Sequence, residues 1–312
     1  VVSLLCVRCG SKAVYYSPHS GHRFCAKCFI RSIERRVRST INRYKLLEPN
    51  DRILVAISGG KDSQVLLTIL SKIERRFPQV AMTALAVDEG VPGYRNFGLK
   101  RCRELCEELG VELVVTSFKE LFGYTLPEIV SLAEKRGVGL KACTYCGILR
   151  RRAINIKAKE LGATKVVTGH NLDDEAQTAL MNLLRGDALR LLRLGPKPIE
   201  EYPGFIPRVK PLRYIPERDI TFYAYLKGFP FYEVECPYVR ASLRDELRFI
   251  LNDIEGRHPG TKYAIVRAVD KLSALGVKVK VKVKSCKYCG EPTTRDVCRA
   301  CELLESIGVV AH

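Results

Sequence analysis

The sequence predicts an α/β fold, a parallel sheet covered on both faces by helices, with a small cysteine-framed module near each end. Three observations carry that prediction. From residue 51 onward, short β-branched apolar runs alternate with amphipathic helical stretches. Paired C-x-x-C spacings bracket this region, at Cys6/Cys9 with Cys25/Cys28 and at Cys286/Cys289 with Cys298/Cys301. Between the apolar run 53–57 and the helical run 64–70 lies Ser58-Gly59-Gly60-Lys61-Asp62-Ser63, a tight turn joining a strand to a helix start.

Composition narrows the class. The 312 residues carry 52 Lys and Arg against 34 Asp and Glu, a net charge of +18, which points to a polyanionic partner. No run has the apolar length needed to span a bilayer, so nucleic acid is favoured over a membrane. The first cysteine pair begins at Cys6 and leaves no room for a secretion signal, giving an expectation of a cytoplasmic protein. Thirteen cysteines are an odd set for disulfides, and their spacing in a reducing compartment points to metal.

The first module, residues 1–30, is too small to bury a core. Four thiolates at Cys6, Cys9, Cys25 and Cys28 would hold Zn²⁺ tetrahedrally and replace that core. His22 stands close enough to compete, but two complete pairs make it unnecessary. Residues 31–50 continue as a linker helix, with Ile33, Val37, Ile41 and Tyr44 on one face and arginines around it. Those arginines suit RNA phosphates or simply a solvated face.

The central domain is expected over 51–215. Its turn suits a phosphate: adjacent glycines admit close approach of an anion, the helix start offers free N–H groups, and Lys61 adds a positive charge. It is not the mononucleotide P-loop, which needs another glycine four residues before Gly-Lys-Ser/Thr. Further strands are read at 81–87, 111–116 and 165–168. Ligands of such sheets bind at the carboxyl ends of strands, where Ser58–Ser63, Asp88, Gly169 and Asp173/Asp174 all fall. One of the two aspartates would cap the following helix and the other face a nucleotide, with Mg²⁺ between carboxylate and phosphate or one carboxylate orienting a substrate. His170 reads as a turn or packing residue. Cys102 and Cys106 share a helix face with leucines and read as packing.

Cys143-Thr144-Tyr145-Cys146 has no second pair nearby, and the one later single cysteine is Cys236. Three thiolates are too few for a closed structural zinc site but suit a metal centre with an open position. A redox dithiol, or packing cysteines, fits the spacing equally. Prolines between 196 and 216 predict an extended connection, and 216–280 a basic helical part with helices on either side of 257–260. Val277–Lys284 alternates valine and lysine like a guarded edge strand. The last module, 281–312, repeats the four-thiolate pattern.

S-G-G-K-D-S resembles the pyrophosphate (PP) loop of the N-type ATP pyrophosphatases. With C-T-Y-C-G, G-H-N-L-D-D and C-x-x-C-G-x-P-T-x-x-x-x-C-x-x-C in order, nearly the whole chain resembles the tRNA 2-thiouridine synthetases of the TtuA/NcsA family. The resemblance implies a Rossmann-like PP-loop domain between zinc ribbons. It implies ATP binding by Ser58, Gly59, Gly60, Lys61, Asp62, Ser63, Asp88 and Gly169, with Asp62, Arg150 and Asp174 as catalytic positions. It assigns Cys143, Cys146 and Cys236 to an iron–sulfur cluster, 4Fe-4S in type, beside two Zn²⁺. TtuA members have lysine where this chain has Arg150; arginine does not readily surrender a proton, so its expected role is charge stabilisation.

The implied reaction is ATP-dependent 2-thiolation of a tRNA uridine by adenylation and sulfur transfer. Arg150 and the M-N-L-L-R-G-D segment lean towards the NcsA branch and the wobble uridine, against the T-loop uridine of the TtuA branch. Implied partners are tRNA, a sulfur donor (sulfide or a thiocarboxylated ubiquitin-like protein) and a second copy of the chain. Other readings are a different PP-loop tRNA ligase and a non-catalytic zinc RNA-binding protein.

Overall fold

The computed structural model describes residues 4–74, 80–196, 205–230, 236–238, 243–275 and 283–309. Tyr15–Tyr16 (β1) and Arg23–Phe24 (β2) form an antiparallel hairpin inside the first cysteine module. Ala26–Tyr44 (α1) follows, burying Phe29, Ile33, Val37 and Ile41 at helical spacing. It stops at Lys45, whose left-handed backbone (φ 46°) returns its N–H to the carbonyls of the last turn.

Next come Arg52–Ile57 (β3), Lys61–Glu74 (α2), Ala81–Asp88 (β4), Arg95–Leu109 (α3) and Glu112–Ser117 (β5). Phe118–Phe122 (α4) and Leu126–Lys135 (α5) each open on a capping box, Ser117 with Glu120 and Thr125 with Glu128. Ala142–Glu160 (α6), Lys165–Thr168 (β6), Leu172–Leu184 (α7), Ala188–Leu192 (α8), Arg208–Val209 (β7) and Glu217–Leu226 (α9) complete the central part. Leu243–Arg257 (α10) and Thr261–Ala274 (α11) follow. The last module holds the hairpin Lys284–Ser285 (β8) and Pro292–Thr293 (β9), then Arg299–Ser306 (α12).

The central strands lie in the order β5-β4-β3-β6-β7, and each pairing is parallel. Alternation along the strands sorts their side chains between two cores. Ile53, Val55 and Ile57 enter the core shared with α1, α2, α3 and α9, whereas Leu54, Leu85 and Val87 enter that shared with α5, α6 and α12. Burial on both faces is what a parallel sheet requires. Strand order reverses between β3 and β6, so the turns leaving those two strands face a common crevice.

The cysteine modules join these cores rather than standing apart. Cys6 and Phe24 pack into the first, and Cys286, Cys298 and Cys301 into the second. Glu291, 6% exposed, accepts from Asn155 Nδ2 (2.8 Å), Lys159 Nζ (2.9 Å) and Arg152, and so ties the last module to α6.

Three local expectations change. The proline-rich stretch contributes a fifth strand, β7; it is two residues long and sits at the sheet edge, where flanking prolines are tolerated. The helix α7 is capped by Asn171, not by either aspartate. Lys284 belongs to the last module's hairpin, opposite Thr293, while 277–282 of the valine–lysine run lie outside the described residues. Cys102 and Cys106 are 1% and 2% exposed, as packing residues should be, and burial pushes both thiols up to about 11. Among the described residues no helix is long and apolar enough to cross a membrane.

Candidate active site

The turn after β3 is held in shape by its own side chains. Ser58 N donates to Ser63 Oγ (3.2 Å), Ser63 Oγ donates to Gly60 O (2.9 Å), and Gln64 Nε2 donates to Gly59 O (2.8 Å). Gly59 has φ 84°, and a Cβ there would lie 2.3 Å from Gly98 O on α3, so both the turn and the close approach need glycine. The turn thus presents its backbone to the crevice at the head of α2, where unpaired N–H groups and the helix dipole favour an anion.

Lys61, at the head of α2, is engaged by two carboxylates, Asp62 (3.0 Å) and Glu217 of α9 (2.7 Å). Burial opposes its charge, but Asp62 and Glu217 outweigh burial and hold the pKa above its ordinary value. Asp62 Oδ1 accepts from Asn171 Nδ2 (2.9 Å), which links the two strand-end turns. Gly169 keeps those turns close, since a Cβ there would sit 3.3 Å from Asp62 C and Ser63 N.

The neighbouring aspartates do different jobs. Asp173, 5% exposed, accepts from Glu217 N (2.8 Å) and pairs with Lys262 of α11. Asp174 closes the capping box with Asn171 and meets Arg244 at 3.2 Å. Burial pushes Asp174 up, and Asp62 and Glu217 add to that rise. Three carboxylates therefore converge beside the turn, with Lys61 and Arg244 their cationic partners. Asp88, at the end of β4, spends Oδ1 on the N–H of Gly90 (2.8 Å).

Glu89, next along and 3% exposed, accounts for the other wall. Its Oε1 meets Arg150 Nε at 2.7 Å and its Oε2 meets Arg95 Nε at 3.2 Å. Arg95 donates to Ser58 O (2.8 Å), and Arg150 donates to Cys146 Sγ (3.0 Å). A continuous polar line therefore runs from the glycine turn to the C-x-x-C of α6.

Cys143 and Cys146 sit in the first turns of α6, and Cys143 Sγ donates to Tyr238 O (3.1 Å), two residues beyond Cys236. Burial pushes the Cys146 thiol up to about 11; Arg150 opposes this, while Glu89 and Cys236 add to it. Cys143 is raised by burial first and then by Cys236. The Cys143–Tyr238 contact sets the stretch that carries Cys236 beside the head of α6. The three thiols do not close as tightly as the two four-thiol groups, Cys6/Cys9/Cys25/Cys28 and Cys286/Cys289/Cys298/Cys301, whose sulfurs lie within 4.8 Å of one another.

Those two groups have the donor set of a closed tetrahedral site. His22 belongs to neither. Burial opposes the Cys6 thiolate, but the N–H groups of Cys25, Arg8 and Cys9 bring it down to about 6; Cys286 reaches about 6 in the same way.

Reasoning from the sequence missed Glu89, Arg95, Asn171 and Glu217. Glu89 and Asn171 had a usable signal, being polar residues at predicted strand ends. Arg95 and Glu217 had none, because only the fold brings them to the turn.

Residues 30–253 match the family model described as PP-loop domain, and residues 5–30 match that of the 2-thiouridine synthetase TtuA, N-terminal LIM domain. The chain is 38% identical to tRNA 2-thiolation protein NcsA of Haloferax volcanii, over 98% of this chain and 99% of that one. It is 37% identical to cytoplasmic tRNA 2-thiolation protein 1 of Chlamydomonas reinhardtii, over 97% of this chain and 85% of that one. Among solved structures it is similar to the U34-tRNA thiolase NcsA from Methanococcus maripaludis with its 4Fe-4S cluster. The TM-score is 0.87 at 34% identity, covering 99% of this chain and 98% of the other.

Proposed function

This chain belongs to the PP-loop tRNA 2-thiolation family of NcsA and the cytoplasmic tRNA 2-thiolation proteins, and on that premise we propose that it thiolates C2 of the wobble uridine of tRNA in the cytoplasm. The observation that carries the reading is the line Ser58–Arg95–Glu89–Arg150–Cys146, which sets a phosphate-binding turn beside a group of three thiols.

The uridine O2 is a poor leaving group, so it first attacks the α-phosphorus of ATP and expels pyrophosphate. The N–H groups at the head of α2 and the Lys61 ammonium bind the departing phosphates, Lys61 exchanging Glu217 for them. Sulfide then adds at C2, and collapse of the adduct releases AMP with the former O2. Arg150, kept charged by Glu89, stabilises the negative charge that develops on the adduct and the phosphate. It stays protonated throughout and is no acid or base.

Two absent groups fit the residues present. Asp62 and Asp174 would hold Mg²⁺, since Asp174 carries a carboxylate disfavoured by burial and by its acidic neighbours, a charge surplus a divalent cation offsets. Cys143, Cys146 and Cys236 would hold the cluster, their looser grouping suiting a body larger than a single ion. When bound, that cluster would supply an iron with an open position able to carry sulfide. The two four-thiol groups would hold structural Zn²⁺.

The test is anaerobic reconstitution with iron and sulfide, followed by nucleoside analysis of tRNA incubated with ATP. Thiolated uridine at the wobble position, absent with Cys236→Ala, is the expected outcome. Product from Cys236→Ala at the wild-type level would remove that cysteine from the reaction, and sulfur confined to the T-loop would contradict the position.

A further inference from the structure

Given tRNA as the substrate proposed above, we propose that the cleft between α1 and α11 binds the phosphodiester backbone of that tRNA, with Arg43, Arg267 and Lys271 as its phosphate contacts.

The cleft has a volume of about 460 Å³, and its walls come from two helices far apart in sequence. Arg43 is on α1; Arg267 and Lys271 stand one turn apart on α11, and all three are exposed. None has an ion pair with a carboxylate among the described residues, whereas Arg36, deeper on α1, pairs with Asp219. The acids lining or flanking the cleft are turned elsewhere. Asp270 is held by Arg213 (2.5 Å) and Tyr214 (2.5 Å), and Asp219 by Arg36 (2.7 Å) and Tyr15. The cations are thus left to an outside partner, in a concave setting that strengthens their combined field.

The cleft is also built to hold its shape. Tyr44 and Tyr214 stack with centroids 5.6 Å apart and share a hydroxyl hydrogen bond of 2.8 Å. Arg43 lies over the Tyr44 ring (5.4 Å) and Arg267 over Tyr263 (5.7 Å), so aromatic faces fix both guanidinium groups before any ligand arrives. A merely solvated helix face would lack this concavity.

Position favours the substrate over an unrelated polyanion. His19 and Tyr263 line both this cleft and a second one of about 980 Å³, whose lining includes Asp173 and Glu217. Glu217 is the residue holding Lys61, so a polynucleotide following the two neighbouring clefts would approach the glycine turn.

The experiment measures unmodified tRNA transcript binding to the full chain across a salt series, for wild type and Arg43→Gln/Arg267→Gln/Lys271→Gln. Lys100→Gln/Arg103→Gln/Lys135→Gln is the charge-matched control, and thermal unfolding checks the fold. Every cation withdrawn from a phosphate lowers the slope of log affinity against log salt by about 0.9. The expected result is a slope smaller by about 2 to 3 and an affinity reduced by about tenfold or more, with ATP binding intact and the control unchanged. Wild-type affinity and slope in the cleft variant, or an equal loss in the control, would overturn the assignment while leaving the reaction standing. A wild-type protein that does not bind tRNA would overturn both.

Discussion

Glu89 and Arg150 form an ion pair, Oε1 to Nε 2.7 Å, between the end of β4 and the third turn of α6. The same carboxylate faces Arg95, which grips the glycine turn through Ser58 O. Partial desolvation works against the charge of Arg150, whose side chain is 46% exposed, and Glu89 more than compensates, holding its pKa above the ordinary value. One buried carboxylate therefore aims two cations in opposite directions. Glu89→Gln should lower kcat by about 10- to 100-fold, the loss of one charge-assisted interaction of about 1.5–3 kcal/mol. KM for ATP should change little, because Lys61 and the backbone of the turn remain. Steady-state kinetics at varied ATP will decide; a purely raised KM would mean that Glu89 serves nucleotide binding alone.

Asp173 and Asp174 are adjacent yet should separate by experiment. Asp173 is buried against Lys262 and the head of α9, so Asp173→Ala should cost about 3–5 kcal/mol, as breaking a buried pair does. Asp174→Asn should cost far less in urea unfolding and abolish adenylation, measured as pyrophosphate release. Equal stability losses would contradict this division.

His170 supplies a pH prediction. Its side chain is exposed, yet desolvation by the surrounding protein, followed by Lys210, Arg244, Arg208 and Arg151, lowers its pKa from 6.5 to about 3. Its folded pKa is depressed, so the neutral ring is favoured in the native state. Its contribution is constant above pH 6.5 and is lost as pH falls towards 3. The stability difference between wild type and His170→Gln should stay flat above that upper limit and shift against wild type as the solution is acidified. The pH profile of kcat at neutral pH should keep its shape in the variant. A basic limb that disappears with His170→Gln would make His170 a proton carrier.

Glu291 connects the last cysteine module to the helix that carries Cys143, Cys146 and Arg150. Removing its charge leaves Arg152 and Lys159 without their shared partner. Glu291→Gln should destabilise the protein by about 3 kcal/mol in chemical unfolding and reduce iron incorporation at the distant thiols. Unaltered stability and iron content would show that the module adds nothing to α6.

Much of the fold is legible in the chain because its signals are local. The run at 53–57 is apolar and β-branched, the four-thiol modules are spaced within a few residues, and the turn at 58–63 is contiguous. Secondary structure and metal-ligand spacing depend on neighbours in sequence, so these features needed no fold to be read. β7 and α4 escaped notice because two and five residues are too short to carry a period, whereas α5 offered both a capping box and apolar spacing at Leu126, Ile129 and Ala133 and could have been read.

The tertiary structure alone decided which charges meet. Glu217 reaches Lys61 from another helix, Glu89 selects Arg150 and Arg95, and Arg43 shares a cleft with Arg267. Ion pairs between elements follow from strand order and helix packing, which bring distant residues within a few ångströms. An isolated charged residue in a sequence says nothing of its partner, whereas a glycine turn or a cysteine pair already contains its own geometry.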